Sequence, residues 1–302
     1  MYKFIEGLSK EWKIWERPSS YGWFHLIFIF FTIILATLMI IFIKKDNNQE
    51  LKTWKLKTII GSIFFVLLLI EIFKQLLAIG HNDSVKHKWV YDIYKNHSYF
   101  PYVLCSTALY IMPIYLLVPK GKVSDGILTY IGIYSLWMGG FVIFYPGDVF
   151  TKNIFICFHS MIYHSLLFAL GLFLTIRFIV KFHWKSFLYA GIIFIVLYLF
   201  AIIGNEIIYQ LKQKSKLKWS WAWGINLFNM SHRKPNPMVS DIAFLAKAKP
   251  WVITISYIPF TFIGVGAFWS LISGIGYLVK FIEKKYKLRQ QNKNINTQES
   301  KI

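Results

Sequence analysis

Long apolar runs recur along the chain, separated by short polar segments. A transmembrane helix needs about 20 apolar residues to cross a hydrocarbon core of roughly 30 Å. Seven stretches reach that length, at about 22–43, 58–79, 99–118, 126–145, 154–176, 187–209 and 251–279. The pattern predicts an all-α fold, a polytopic integral membrane bundle of about seven transmembrane helices.

The same pattern predicts a single transmembrane domain over residues 1–280. A long loop, residues 210–250, mixes tryptophans with basic residues, which is typical of a segment at the membrane interface. Residues 281–302 are polar and basic, and we expect a disordered tail there. The first apolar run is too long for a signal-peptide core and lacks a small-residue cleavage site, so we expect it to be retained.

Composition excludes a water-soluble domain, because 56% of the 302 residues are hydrophobic and only 16% are charged. The formal net charge is +20, but the basic residues are scattered through the loops. We therefore expect them to meet anionic lipid headgroups rather than nucleic acid. The heavy use of lysine, isoleucine and asparagine is typical of an AT-rich bacterial genome. The cysteines, Cys105 and Cys157, both fall inside predicted spans, which excludes a disulfide framework.

The loops divide into two sets according to the side of the membrane on which they lie. We call face A the side that holds the N terminus and the loops after the second, fourth and sixth spans, and face B the opposite side. Face B, with the C-terminal tail, carries a compact set of lysines and arginines. By the positive-inside rule we expect a multi-pass cell-membrane protein with a cytoplasmic C terminus and an outward face A.

Polar side chains within the predicted spans concentrate toward face A. They are Glu71, Lys74 and Gln75 in the second span, Cys105 in the third, His159 and His164 in the fifth, and Asn205 and Glu206 in the sixth. A rise of 1.5 Å per residue places all of them within about 15 Å of the face A ends of their spans. The face B portions contain no charged residue and no histidine over 109–118, 166–174 and 187–203. The bias predicts a polar cavity that opens to face A.

Each of these residues also has a structural interpretation. A free cysteine such as Cys105 often packs as a small hydrophobe. Glu71 and Lys74 are three residues apart and could neutralise each other, and Glu206 could extend to the interface. His159 and His164 are about 140° apart around a helix, so both cannot point at one partner.

The long loop has two interpretations as well: an aromatic belt at the interface, or a lid that binds lipid headgroups. The candidate residues for a lid are Asn226, Asn229, His232 and Arg233. The chain contains no motif of the common soluble enzymes and no metal-ligand spacing, so we predict neither a cofactor nor a metal.

Several segments resemble a known family of bacterial membrane proteins. They are EIFKQLLAIG (71–80), PYVLCSTALYIMP (101–113), FHSMIYHSLLFALGLFL (158–174), NEIIYQ (205–210) and the loop with KPNP. Over roughly residues 60–265 the chain resembles the YwaF-like proteins, which are related to the transmembrane protein 164 phospholipid acyltransferases. The resemblance implies that Cys105 is the acyl-accepting nucleophile, with His164 as its base and Glu71 in the matching acidic position. Val103 departs from the family pattern, in which a longer polar residue precedes the cysteine by two.

The depth of Cys105 and the resemblance together indicate chemistry on lipid esters, because ester carbonyls lie just below the headgroups. A buried thiol is weakly reactive and needs a base, which His164 would provide. The resulting acyl-thioester would pass its chain to a lysophospholipid hydroxyl, or to water in a hydrolase. Lys74, Asn205 and Asn229 are the candidate donors for the developing oxyanion. We therefore predict a cysteine-dependent lipid acyltransferase or acyl-ester hydrolase whose partner is a membrane phospholipid or lysophospholipid.

Two other functions fit the same residues. In a carrier or channel subunit, Glu71, Lys74 and Glu206 would line a pathway reached from both faces. In a membrane scaffold the cysteine would only pack, and a stable complex with another protein would be expected.

Overall fold

The computed structural model describes residues 16–43, 51–83, 88–91, 102–147, 149–151, 153–214, 226–231, 233 and 248–299. In these residues the chain forms helices α1 (Trp23–Phe42), α2 (Thr53–Ile79), α3 (Thr107–Leu117), α4 (Lys122–Phe144), α5 (Ile154–Ile176), α6 (Trp184–Gln213) and α7 (Pro250–Glu299). A hairpin of strands β1 (Gly80–Asp83) and β2 (Lys88–Tyr91) follows α2, and short 3₁₀ turns cover Leu104–Ser106 and Leu227–Asn229.

Six of the helices are long and apolar enough to cross a membrane, namely all except α3. The helices that surround the centre also turn large apolar side chains outward: Phe200 on α6 is 66% exposed and Ile263 on α7 is 72% exposed. Such surfaces match lipid rather than water. The predicted multi-pass helical membrane fold is confirmed.

Helices α4 and α5 form the buried centre of the bundle. Their backbones approach closely at two glycines: a Cβ on Gly139 would lie 2.5 Å from the Phe168 nitrogen, and one on Gly171 would lie 2.5 Å from the Leu136 nitrogen. Small residues at such crossings allow membrane helices to pack tightly without a hydrophobic driving force. The close contact fixes α5, which carries both histidines of interest.

The third apolar run is shorter than its sequence pattern predicted. We expected a helix over 99–118, but in the structure helical geometry begins at Leu104 and ends at Leu117, and Val103 is extended. Residues 92–101 lie outside the described part of the chain. Hydropathy reports apolar length but not the residue at which a helix begins, and this explains the difference.

The C-terminal end of α3 is closed by a lysine from α2. The Lys57 ammonium donates to the carbonyl oxygens of Leu116 at 2.9 Å and Val118 at 2.8 Å. A cation at this position satisfies carbonyls that have no partner within the helix and complements the negative end of the helix dipole. Lys57 therefore stabilises the C-terminal end of α3.

A buried histidine holds the start of α1 against the end of α4. His25 is fully buried, accepts a hydrogen bond from the Tyr21 backbone at Nδ1 (2.8 Å) and donates from Nε2 to the Ile143 carbonyl at 2.7 Å. The Tyr21 hydroxyl donates to the Phe144 carbonyl at 2.6 Å. Both ring nitrogens of His25 are thus used in packing.

The C-terminal segment differs from expectation. We expected disorder from residue 281, whereas α7 continues as helix to Glu299. Residues 281–299 contain four lysines and three glutamines, which have high helix propensity, and extending an existing helix avoids the cost of nucleation.

Candidate active site

A buried acidic residue on α2 gathers three donors around its carboxylate. Glu71 Oε1 accepts from Lys74 Nζ at 2.7 Å and from Gln75 Nε2 at 2.6 Å. Its other oxygen, Oε2, lies 3.1 Å from His159 Nε2 on α5. Glu71 is only 5% exposed. The predicted pairing of Glu71 with Lys74 is present, and His159 joins it from a second helix.

This contact fixes the tautomer of His159. A carboxylate only accepts hydrogen bonds, so Nε2 carries a proton and donates it to Glu71. In the neutral ring Nδ1 then holds the lone pair. Among the described residues the His159 ring makes no hydrogen bond other than the one to Glu71.

His164 lies about one turn further along α5, and only one of its two ring nitrogens is hydrogen-bonded. Its Nδ1 is 2.7 Å from the Ser160 carbonyl oxygen, which accepts only, so Nδ1 is the protonated nitrogen. Its Nε2 is buried and has no hydrogen-bond partner in the part of the chain that the structure describes. The Cys105 thiol and the His164 ring are therefore not hydrogen-bonded to each other in this structure. Nε2 is left as an unpaired proton acceptor.

Cys105 lies in the 3₁₀ turn that opens α3 and is partly exposed. Lys74 and Glu71 are both within electrostatic range of its thiol, and Lys74 is within the same range of His164. The structure thus brings Glu71, Lys74, Cys105, His159 and His164 into one cluster. We call these five residues, together with Gln75, the polar cluster.

Two tyrosines near Cys105 were not identified from the sequence. The Tyr163 hydroxyl donates to the Cys105 carbonyl oxygen at 3.4 Å, a long hydrogen bond. Tyr257 on α7 is within electrostatic range of the thiol. Both tyrosines are buried. The position of Tyr163 between the two histidines was the available signal, but an aromatic residue in an apolar run is usually packing.

The second cysteine has a different environment. Cys157 is fully buried, accepts from the Thr151 backbone N–H at 3.2 Å and donates its thiol to the Thr151 carbonyl at 3.3 Å. These contacts bend the loop before α5 onto the first turn of the helix. Cys157 is a packing and loop-closing residue.

The loop after α6 lies against the segment that leads to Cys105. Asn205 holds it through two hydrogen bonds with the Leu227 backbone, at 2.7 and 3.2 Å. The Phe228 N–H donates to the Tyr102 carbonyl at 2.7 Å. Phe228 and Asn229 both have positive φ, at 52° and 57°, an uncommon conformation for residues other than glycine. The loop therefore covers the backbone three residues before the thiol.

The remaining candidates of this region take structural roles. Asn226 accepts from the Ser231 N–H at 2.9 Å and closes its own loop. Glu206 forms a two-pronged ion pair with Arg233, with both contacts at 2.9 Å, and the guanidinium lies 4.1 Å from the centre of the Tyr209 ring. The hydrogen bonds to Glu206 raise the pKa of Arg233 above its usual value. His232 lies outside the described residues.

No group of three or more histidine, cysteine, aspartate or glutamate side chains suited to a metal ion occurs among the described residues.

A family model, that of the TMEM164 family, matches residues 19–273. The chain belongs to the TMEM164 family. The matched region contains the polar cluster and the loop that covers Tyr102, and it ends before the basic tail. No curated protein and no solved structure gives a significant match.

Proposed function

We propose that this member of the TMEM164 family transfers acyl chains between membrane lipids through an acyl-thioester on Cys105. The observation that carries the proposal is the polar cluster itself: a partly exposed thiol within electrostatic range of Lys74, and a histidine within range of the same lysine whose buried Nε2 has no partner among the described residues. An ionisable cluster inside a membrane bundle is costly and is a functional site by default.

In the first half of the reaction, His164 Nε2 takes the thiol proton and the sulfur attacks the ester carbonyl of a phospholipid. The carbon–oxygen ester bond breaks, the acyl group stays on sulfur, and the lysophospholipid leaves with the proton as its hydroxyl. In the second half an acceptor hydroxyl attacks the thioester and the thiol is regenerated. The contact between Nε2 and the thiol has to form on substrate binding, as often occurs at catalytic hydrogen bonds that are open in the free enzyme.

Lys74 is the best-supported donor for the oxyanion that develops on the carbonyl. It carries a positive charge within electrostatic range of the thiol and is held by Glu71. Asn205 was an equal candidate on sequence grounds, but its amide is occupied by the Leu227 backbone. We therefore assign oxyanion stabilisation to Lys74 and loop anchoring to Asn205.

The loop at Asn226–Met230 would act as the lid of this site. It is anchored at Tyr102 and Asn205 and held at its edge by the Arg233–Glu206 pair. A lipid that approaches from face A, which we propose faces outward with the C terminus in the cytoplasm, would pass beneath it.

The carrier hypothesis has less support. It relied on Glu71, Lys74 and Glu206 as charges that line a pathway, whereas these side chains are paired with one another or with Arg233. Charges neutralised in this way give a pathway little net charge with which to attract a charged solute.

The test is intact-mass analysis of the full-length protein after incubation with dioleoylphosphatidylcholine in nanodiscs. We expect one oleoyl adduct that maps to Cys105 and is released by neutral hydroxylamine. Absence of the adduct with phosphatidylcholine, phosphatidylethanolamine and phosphatidylglycerol alike would refute the proposal.

A further inference from the structure

We propose that the face B end of α5 and the part of α7 beside it form a second lipid site, which binds the phosphate and the ester carbonyls of an anionic phospholipid. The polar cluster uses the first half of α5, whereas this site lies at the last turn of that helix. The proposal goes beyond acyl transfer, because the lipid would be a resident ligand of the fold rather than a substrate.

Four buried donors without partners occur in this region. In the part of the chain that the structure describes, they are the Thr175 and Ser273 hydroxyls, the Trp269 indole N–H and the Arg177 Nε–H. Apart from His164 Nε2, no other buried side-chain nitrogen or oxygen among the described residues lacks a hydrogen bond. Buried polar groups normally have partners, so this concentration favours a bound molecule that supplies oxygen acceptors.

One side of α7 faces the end of α5. The positions on that side follow one another at spacings of four and three residues, and they are Trp269, Ser273, Gly276, Lys280 and Glu283. A Cβ on Gly276 would lie 3.1 Å from the Ile176 carbonyl oxygen, and the Glu283 carboxylate accepts from Arg177 Nη1 at 2.9 Å. The two unpaired donors of α7 therefore lie on the side that faces α5.

The segment after α5 folds back toward the same donors. The Val180 N–H donates to the Leu174 carbonyl at 3.1 Å, and Phe178 has a positive φ of 51°, which turns the chain at the end of the helix. Phe182 then packs against Trp269, with the ring centres 4.7 Å apart. The end of α5, this segment and α7 therefore meet at the group of unpaired donors.

The Arg177 guanidinium has the geometry to bind a phosphate. Glu283 occupies Nη1, and this side chain makes no other hydrogen bond among the described residues. Nε and Nη2 form the opposite edge, whose parallel N–H groups match two oxygens of one phosphate. The Lys280 ammonium lies 4.1 Å from the centre of the Phe178 ring, beside Arg177. Two cations and one carboxylate leave a net positive charge, which favours an anionic ligand.

The depth of the donors favours a lipid over free phosphate. Arg177 follows the last residue of α5, whereas Ser273 and Trp269 lie about 4.5 and 10 Å further into the membrane than Gly276, at 1.5 Å per residue. A phospholipid has the same order, with its phosphate outermost and its ester carbonyls below. We assign the phosphate to Arg177 and the ester carbonyls to the deeper donors, which a free phosphate at Arg177 would leave without partners.

The experiment measures lipid binding without acyl transfer. Full-length protein in detergent is titrated with dioleoylphosphatidylglycerol, with dioleoylphosphatidylcholine or with inorganic phosphate, and native mass spectrometry counts the bound molecules. The two lipids share their acyl chains and differ in headgroup charge. We expect phosphatidylglycerol to bind about fivefold more tightly than phosphatidylcholine, as one net positive charge near the headgroup implies. Inorganic phosphate should bind more weakly than either lipid.

The first variant removes the charge at the phosphate. Arg177→Gln should lower the affinity for phosphatidylglycerol about 10- to 100-fold, the usual effect of losing hydrogen bonds from a charged group. Arg289→Gln, on the exposed continuation of α7, is the matched control. It removes the same charge and should leave the affinity within about twofold of the wild type, since an exposed charge far from the site contributes little.

The second set of variants removes single hydroxyls. Ser273→Ala and Thr175→Val should each lower the affinity for phosphatidylglycerol about two- to tenfold. Without added lipid their melting temperatures should be unchanged or higher, because the deleted hydroxyls are buried and unpaired in the described structure. Ser270→Ala is the control, since that serine is exposed and donates to the Gly266 carbonyl at 2.7 Å. It should not change the affinity.

Three results would overturn the inference. Equal affinities for the two lipids would remove the anionic preference, and tighter binding of inorganic phosphate would make this a site for the free ion. A lower melting temperature of both hydroxyl variants without lipid would show that water already pairs these groups. Should Arg177→Gln fail to fold, unchanged lipid affinity in both hydroxyl variants would refute the site. Absence of an acyl adduct on Cys105 bears only on the function proposed above.

Discussion

The chain holds two cysteines and several histidines at membrane depth, and their environments differ in one respect. At Cys157 and His25 the polar atoms are bonded to backbone groups of neighbouring segments. At Cys105 and His164 a partly exposed thiol lies near Lys74, and one ring nitrogen has no partner among the described residues. The buried, unpaired Nε2 is therefore what separates His164 from His25, whose two ring nitrogens are both bonded.

The largest expected effect separates the two cysteines. Cys105→Ser should reduce acyl-adduct formation by at least about 1,000-fold, because the loss of a nucleophile removes the reaction path. Cys157→Ser should retain the adduct, since that thiol is occupied by Thr151. Intact-mass analysis after incubation with phosphatidylcholine measures both. An adduct that is lost in Cys157→Ser but kept in Cys105→Ser would contradict this expectation.

The two histidines provide the next comparison. His164→Gln should slow adduct formation about 100- to 10,000-fold with little change in melting temperature, because the amide N–H can still donate to the Ser160 carbonyl and nothing in the described structure pairs with Nε2. His25→Ala should leave the rate per folded molecule unchanged. It should lower the free energy of unfolding by about 1–3 kcal/mol, because the Tyr21 N–H and the Ile143 carbonyl lose their partner.

Thermal unfolding in detergent, measured beside the acylation rate, tests the histidine comparison. A large loss of stability in His164→Gln would show that His164 is structural after all.

The packing that holds α5 in place can be tested through its glycines. Gly171→Ala should lower the free energy of unfolding by about 1–3 kcal/mol, since its Cβ would collide with the Leu136 backbone. Gly274→Ala is the control: its Cβ would meet nothing within 4 Å. Alanine there should be neutral or stabilise the helix by up to about 1 kcal/mol. Equal effects at both positions would contradict the tight α4–α5 contact.

The smallest effect concerns the C-terminal end of α3, the helix that follows the Cys105 turn. Lys57→Met should lower the free energy of unfolding by about 1 kcal/mol, because two carbonyls at the end of α3 lose their cation. Lys122→Met, at the exposed start of α4, provides the control and should be neutral. Melting temperatures in detergent measure the stability of both variants. A stability loss in Lys122→Met but not in Lys57→Met would contradict the capping role of Lys57.

Hydropathy predicted the long helices well, because a lipid-facing span must be continuous and apolar whatever its neighbours are. It did not predict the start of α3 at Leu104, because an extended segment at Val103 is just as apolar. The hairpin at Gly80–Asp83 and Lys88–Tyr91 was also missed, since strands of four residues are too short to show a clear alternation of polar and apolar positions.

The candidate site was predicted in part. Depth counting selected Glu71, Lys74, Cys105, His159 and His164, and the structure places them together. Depth counting did not identify the partner of each residue, because a hydrogen bond between helices depends on how each helix is rotated and packed rather than on spacing along the chain.

Two polar residues of α6 show the same limit. Asn205 and Glu206 were predicted to line the cavity, yet Asn205 holds the Leu227 backbone and Glu206 pairs with Arg233. These contacts join positions more than twenty residues apart, and one sequence alone carries no signal for them.

The shortness of α3 also affects the surrounding lipid. From Leu104 to Leu117 the helical segment has 14 residues and is about 21 Å long, well below the roughly 30 Å of a bilayer core. A surface that short is accommodated by local thinning of the bilayer. A bilayer that thins beside α3 brings its glycerol layer closer to Leu104, at the start of the helical segment.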